Sequence, residues 1–404
     1  MTSKFSIGLA AKGAGWHAGA DAVGSFAPQD PAAWAKLAQA ADEAGIDVLT
    51  IEDSLAPLGT SASFDSFMLT NWLAPQTTRI GLVPTATTSL LEPFHTATAV
   101  ATLDYTSEGR AAVRLRTGGF ASESAAVGRE DTLGNIREAR ALPTEEFERL
   151  IADRFGEGVE FAEVVRLLWD SWEDDAEIRD LATSRFIDRE RIHNPEFTGK
   201  HFSVFGASIT PRPPQGQPPV FSLAHTHTPY RFAAVTADVV LITPETEGTL
   251  EEIRAALAAG ASAVDRQGSP LKVWVDYNIL IADADDADDD AAARLAELDA
   301  AGGEFVSDAG LIAGTAEQVA TRILELRDTG IDGIRVRPLV TDRDTEAFIS
   351  EVLPKLRDGG VEVAEGANLR ERLGLVPAAN RFVATPPFTA NAASVTASTE
   401  EISA

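Results

Sequence analysis

The feature that most restricts the fold is a strand–helix–strand unit in residues 78–115. Ile80-Gly81-Leu82-Val83 is a short unbroken apolar run with Arg79 before it and Pro84 after it, the pattern of a parallel strand buried on both faces. The hydroxyls Thr85, Thr87 and Thr88 follow at once. Beyond Pro93, residues 95–105 set Ala97, Val100 and Ala101 on one helical face with Leu103 at its edge, so a helix lies back on the strand. Ser107-Glu108-Gly109-Arg110 ends that helix and residues 111–115 start another strand. Such a crossover joins parallel strands, and its ligands sit in the loop at the strand's carboxyl end.

The unit recurs. Gly45-Ile46-Asp47-Val48 is echoed by Gly330-Ile331-Asp332-Gly333 and more loosely by Thr236-Ala237-Asp238-Val239, each at a helix exit before an apolar run. Asp30-Pro31 supplies a helix cap and a first helical proline ahead of Trp34, Leu37, Ala38 and Ala41. Strands are predicted at 5–9, 48–51, 80–83, 111–115, 219–222, 239–242, 272–281 and 334–337. Eight strands alternating with helices favour an α/β fold of the closed (β/α)8 TIM-barrel type. A doubly wound sheet would want a G-x-G-x-x-G turn after an early strand. Gly13-Ala14-Gly15-Trp16, with no helix behind it, is a poor match.

One connection is long. Residues 119–218 form an insertion between strands four and five, with an amphipathic helix carrying Phe161, Val164, Val165, Leu168 and Trp172 and a hairpin expected at 197–202 and 204–209. The barrel is expected to occupy residues 1–376, and 377–404 lose periodicity and read as an arm or disordered tail.

The chain has no cysteine, which removes disulfides, thiolate metal sites and cysteine nucleophiles together. No apolar run approaches the roughly 18 residues a membrane span needs, and no signal-peptide pattern opens the chain, so a cytoplasmic location is expected. A net charge of −28 repels phosphate backbones and excludes nucleic acid as a partner. The acidic run 283–290, six aspartates and two alanines, reads as a solvated helix start and lacks the glycine and closing glutamate of a calcium loop.

In a barrel the chemistry lies at the carboxyl ends of the strands. That rule nominates Asp53, Thr85, Thr87, Arg116, Thr117, His225, His227, Thr243 and Arg337. The most informative cluster is Leu223-Ala224-His225-Thr226-His227-Thr228-Pro229-Tyr230-Arg231. Thr228-Pro229 has the form of a helix cap and first turn, and Arg231 follows one turn in; the helix amino end with Thr228 and Arg231 makes a seat for phosphate. The plainer alternative is that Thr228 only caps its helix and the histidines are surface residues. No metal site is expected, because the paired histidines have no third ligand near them. No G-x-S-x-G elbow is present.

Thr78-x-Ile80-Gly81-Leu82, Pro93-Phe94, Leu103-Asp104, Ser107-x-Gly109-Arg110, Leu168-Trp169-Asp170-Ser171-Trp172 and Leu369-Arg370-x-x-Leu373-Gly374-Leu375 together resemble the bacterial luciferase-like flavin-dependent monooxygenases. The late motifs point to the branch with nitrilotriacetate and dibenzothiophene-sulfone monooxygenases. The resemblance implies an enzyme that receives reduced FMN from a separate flavin reductase, uses O2 to oxygenate a small organic substrate, and assembles as a homodimer or homotetramer. It implies that Asp53 and Thr85 or Thr87 border the flavin ring, with Thr117 beside them. Thr228, Tyr230 and Arg231 would then hold the phosphate, with Tyr230 standing where relatives carry glycine. Arg116-Thr117-Gly118 replaces their Val-Thr-Ser, and Arg154-Phe155 their Arg-Tyr pair. His17, His225 and His227 become candidate proton donors or acceptors, and Arg116 a candidate holder of an anionic substrate. A deazaflavin-dependent oxidoreductase of the same superfamily and a ligand-binding barrel without turnover are the alternatives.

Overall fold

The computed structural model describes residues 4–56, 63–118, 121–129, 143–225, 227–245, 248–262, 269–282 and 291–383. The aspartate-rich run 283–290 and the tail from 384 onward lie outside the described residues. Ten strands form the main sheet: β1 Ser6–Ala11, β2 Val48–Ile51, β3 Gly81–Val83, β4 Thr85–Thr87, β5 Val113–Arg116, β6 Val220–Ala224, β7 Val239–Ile242, β8 Lys272–Ile281, β9 Gly310–Gly314 and β10 Gly333–Pro338. All pair in parallel, in the order β3-β2-β1-β10-β8-β7-β6-β5-β4.

The two ends of that path, β3 and β4, are halves of one strand broken at Pro84, which has no N–H to donate. A parallel bridge from Leu82 to Ala111 joins the first half to the approach of β5, and the second half pairs with β5 directly. The ring is therefore closed, as a (β/α)8 barrel. β9 was not expected. It pairs with Tyr277–Ile281 of β8, beyond the point where β7 has left that edge at Val275, and so satisfies backbone groups that would otherwise be unpaired.

The repeated helix-exit joints have a mechanical purpose. Asp47 accepts the Ile7 N–H, Asp238 the Val220 N–H and Asp332 the Val273 N–H, each at 2.9 Å. Each carboxylate thus ties its own strand to the first free amide of the neighbouring one. The joint recurs in sequence because the same backbone donor recurs at the barrel's amino end.

Inside the barrel the lower layer is apolar: Val48, Val83, Ala112, Phe221, Val239, Leu241 and Trp274 form one cluster, and Leu369, Leu373 and Leu375 close it from below. Gly81 and Gly333 leave the room this requires, since a Cβ would stand 2.7 Å from Leu369 Cδ2 at the first and 2.7 Å from Trp274 Cε2 at the second. The plug is anchored where Leu369 donates to Gly109 O at 2.9 Å and Arg370 Nη1 to Gln217 O at 2.7 Å.

Helices Pro31–Glu43, Pro93–Thr106, Thr144–Asp170, His227–Thr236, Leu250–Ser262 and Ala316–Asp328 belong to the outer ring. Asp30 caps the first of them by accepting the Ala32 N–H at 2.9 Å, with Pro31 at its first position. The 27-residue helix Thr144–Asp170 lies between its neighbours: Trp169 Nε1 donates to Ala97 O at 3.0 Å and Phe155 meets Phe232 edge-on. Part of the expected insertion is therefore the ordinary crossover helix between the fourth and fifth strands. Two short hairpins follow, Glu177–Asp180 with Arg185–Ile187 and Phe197–Thr198 with Ser203–Val204; the arms of the second are shorter than the sequence indicated. Asn380 Nδ2 donates to the Asp170 and Trp172 carbonyls at 2.8 Å, strapping the end of the described chain to this region. No helix among the described residues is long and apolar enough to cross a membrane.

If Leu369 seals the barrel floor, Leu369→Ala should lower the unfolding free energy by about 2–5 kcal/mol, read from urea denaturation. A change under about 0.5 kcal/mol would show that the floor does not depend on it.

Candidate active site

The inward alternation that begins as apolar turns charged halfway up the barrel. Val48 is followed on the same face by Thr50 and Glu52, Ala112 by Arg114 and Arg116, Trp274 by Asp276 and Asn278, and Gly333 by Arg335 and Arg337. Asp276 is fully buried between two arginines: Arg335 reaches it through Nε and Nη2, both at 2.6 Å, and Arg337 through Nε at 2.9 Å. Arg335 Nη1 extends to Thr50 Oγ1 at 3.0 Å and Glu52 Oε1 at 3.2 Å, and Glu52 also pairs with Arg114. Burial pushes Asp276 and Glu52 up, but the facing arginines outweigh it and hold both below the usual carboxylate range. Burial in turn lowers Arg114 to about 10 despite Glu52.

The network continues to the rim. Arg337 also pairs with Asp308, which faces His225 Nε2 at 3.3 Å, while His225 Nδ1 lies 3.0 Å from Thr243 Oγ1. Burial pushes Asp308 up, yet the contacts from His225 and Arg337 keep it far below the normal range. Arg337 stacks on Trp16, 4.4 Å from the ring centroid, with Lys12 Nζ 5.1 Å from the same ring. Beside them opens a cavity of about 370 Å³ whose lining includes Lys12, Trp16, His17, Trp34, Phe64 and Phe305.

The nominated residues divide among these settings. Thr85 donates to Ile51 O at 2.8 Å and accepts from Arg114 at 3.2 Å, so its hydroxyl belongs to the charged layer. Arg116 is held by Glu123, at 3.1 Å through Nη1, and by Thr87 Oγ1 at 3.0 Å. Asp53 turns away from the interior, accepting the Ser54 and Ser66 N–H groups at 2.7 and 2.8 Å, and its burial raises it. His17 is buried and stacked on Phe305; Nδ1 accepts the Gly19 N–H at 2.9 Å, which leaves Nε2 to donate to Asp299 at 3.0 Å.

The 223–231 cluster needs one correction. The helix begins at His227, so Thr228 lies inside its first turn and does not cap it, and Pro229 is the third helical residue, still within the turn where a missing N–H costs nothing. His227 is exposed, and the Tyr230 hydroxyl reaches back to His225 O at 3.3 Å. Arg231 runs along Gly260 of the next helix, where a Cβ would stand 3.3 Å from Arg231 Cγ, and its Nε is buried without a hydrogen-bond partner.

Of a second polar cradle, only Thr117 was nominated as a site residue. Arg154 Nη1 lies 3.4 Å from Ser89 Oγ and 3.3 Å from Thr117 O, and Thr88 Oγ1 is buried with no hydrogen-bond partner among the described residues. Gly118, at φ +82°, and Gly158 keep the space open: a Cβ on the first would meet Ser89 Oγ at 2.5 Å, and on the second Thr88 Oγ1 at 3.3 Å. An arginine, two hydroxyls and bare backbone at strand ends form a donor set suited to a phosphate. Glu52, Arg114, Asp276, Asp308 and Arg335 were also missed. The signal for Asp276 and Arg335 was a charge amid an apolar strand run.

Removing one partner from a buried ion cluster strands the others, so Asp276→Asn should cost about 3–5 kcal/mol of stability at neutral pH. Asp276 and Glu52 are held below their unfolded values near 4. The unfolded chain therefore takes up protons first as pH falls; the stabilisation is present above about pH 4 and is lost below it. Denaturant titrations from pH 7 to 3 should show a shallower acid loss in the variant than in the wild type.

The comparisons agree with this architecture. The luciferase-like monooxygenase family model matches residues 5–333. N-acetyl-S-(2-succino)cysteine monooxygenase of Bacillus subtilis (strain 168) is 28% identical, over 95% of this chain and 100% of that protein. Nitrilotriacetate monooxygenase component A of Aminobacter aminovorans is 29% identical, over 62% of this chain and 56% of that protein. Among solved structures, a long-chain alkane monooxygenase shares the fold with a TM-score of 0.76 at 22% identity, covering 93% of this chain and 96% of that one. With a closed barrel, its polar groups gathered at the carboxyl rim and a family match over most of its length, this chain belongs to the luciferase-like monooxygenase family.

Proposed function

We propose that the protein is an FMN-dependent monooxygenase that takes reduced FMN from a separate reductase and uses O2 to oxygenate a small organic substrate. The observation that carries the reading is the cradle of Arg154, Ser89 and the orphaned Thr88 hydroxyl, held open by Gly118 and Gly158 at the mouth of the barrel. The name of the Aminobacter aminovorans relative, component A of a monooxygenase, supports a second component as electron source.

Bound reduced flavin supplies the electrons for oxygen chemistry. The chain supplies the setting. Arg154 would give a charge-assisted contact to the phosphate, and Thr88 Oγ1 would donate a hydrogen bond to it. The layer of Glu52, Arg114, Asp276 and Arg335 is a fixed polar floor whose dipoles and charges are oriented before any ligand arrives. His225, set between Thr243 and Asp308 at the rim, holds a proton at a ring nitrogen within reach of the strand ends. Thr87 and Arg116 form the polar edge between that floor and the phosphate cradle.

The test is anaerobic titration with reduced FMN, oxidised FMN, riboflavin and a deazaflavin, followed by absorbance and fluorescence. Reduced FMN should bind in the micromolar range or tighter and ahead of the others. Arg154→Ala should weaken FMN about tenfold or more while leaving riboflavin nearly unchanged. If the FMN-selective loss appears instead in Arg231→Ala, the phosphate sits at the start of helix His227–Thr236. Failure of every flavin to bind would contradict the reading.

A further inference from the structure

The cavity beside Trp16 contains a cation, Lys12, that stands outside the ion-paired network of the described residues. Lys12 follows directly on β1, is half-buried, and lines the cavity with Trp16, Trp34 and Phe64. Among the described residues its ammonium makes no hydrogen bond and no ion pair; its contact is with the face of Trp16, 5.1 Å from the centroid. The neighbouring charges are already committed to one another. Arg114 and Arg335 hold Glu52, Arg335 and Arg337 hold Asp276, and Arg337 and His225 hold Asp308. In this charged layer Arg114, Arg335 and Arg337 are ion-paired with Glu52, Asp276 and Asp308, and Lys12 is the cation that makes no ion pair among the described residues. Burial draws the Lys12 ammonium below its ordinary value, and Arg337 adds to this, against the pull of Glu52 and Asp308.

A cation held in no ion pair among the described residues, set in a concave, aromatic-lined space on a chain of net charge −28, is a local anion site in an otherwise repulsive field. Glu52 also lines the cavity but is held by Arg114 and Arg335; Asp21 and Glu304 line it too, and these two are exposed and belong to its outer lip. They disfavour an anion at the entrance, so a bound ligand orients with its anionic end inward. We propose that this cavity is the substrate pocket and that it takes a small organic carboxylate, with the carboxylate on Lys12 Nζ and an apolar body against Trp16, Trp34 and Phe64. The proposal names the substrate class of the monooxygenase reading and rests on that reading for turnover, though not for binding.

Binding is tested without any flavin, using phenylacetate and its neutral counterpart phenylacetamide as probes and the quenching of tryptophan emission as the signal. Wild-type protein should bind phenylacetate about tenfold more tightly than phenylacetamide. Lys12→Met should abolish that preference with little effect on the amide, and Lys12→Arg should retain it; thermal melts of both variants confirm that they are folded. Equal affinities in the wild type, a preference that survives in Lys12→Met, or no binding of either probe would overturn the proposal. Because flavin binding is measured separately, loss of the carboxylate preference leaves the cofactor reading standing, and loss of flavin binding leaves the anion site standing.

Discussion

The barrel depends on how Asp276 is held. A carboxylate with no solvent exposure, in the middle of a strand, would cost several kcal/mol to keep charged if it stood alone. Arg335 and Arg337 offset that cost by approaching from the adjacent strand, where the parallel register sets Asp276 opposite Arg335 and Asn278 opposite Arg337. The two arginines are then spoken for, and through them so are Glu52, Asp308 and, at one remove, Arg114 and His225. Satisfaction of one buried ion fixes the side-chain geometry of five strands. The balance is intolerant of single changes, because any member removed leaves its partners desolvated and unmatched.

Function and stability occupy different heights of the same cylinder. At the amino end, Asp47, Asp238 and Asp332 tie neighbouring strands through backbone amides, and Leu369, Leu373 and Leu375 fill the opening. Halfway up, the inward side chains of β2, β5, β8 and β10 change from apolar or small to charged. Above that layer the loops diverge, and the polar cradle at Arg154 lies by the ends of β4 and β5 while the aromatic cavity at Trp16 lies by the ends of β1 and β2. A cofactor and a substrate entering from these two sides would meet over a surface whose charges need not reorganise, which is the property electrostatic catalysis requires.

Much of the fold was legible because apolar strand runs, helix caps and helix-exit aspartates are local signals. The eight expected strands correspond to those that close the ring, and Asp30-Pro31 caps the helix it was expected to cap. β9 was missed because Gly310-Leu311-Ile312-Ala313-Gly314 is short and flanked by glycine, and its pairing depends on where β7 ends, a tertiary fact. The site was less legible. Asp53 was nominated where the inward carboxylate is Glu52, although alternation from Val48 through Thr50 already leads to Glu52. Thr228-Pro229 has the form of a cap and first helical residue, but the helix starts at His227, two residues before Pro229. The Thr88 hydroxyl without a partner and the Lys12 ammonium without an ion pair, both among the described residues, are defined by what surrounds them, and no sequence pattern carries that information.

The most direct test of the account is a crystal structure of the protein with FMN bound under reducing conditions. The account predicts the phosphate within hydrogen-bonding distance of Arg154 and Thr88, the ring above an unmoved Asp276–Arg335–Arg337 cluster, and the Trp16 cavity open toward the ring. A ring that displaces those arginines from Asp276, or a phosphate bound away from Arg154, would contradict it.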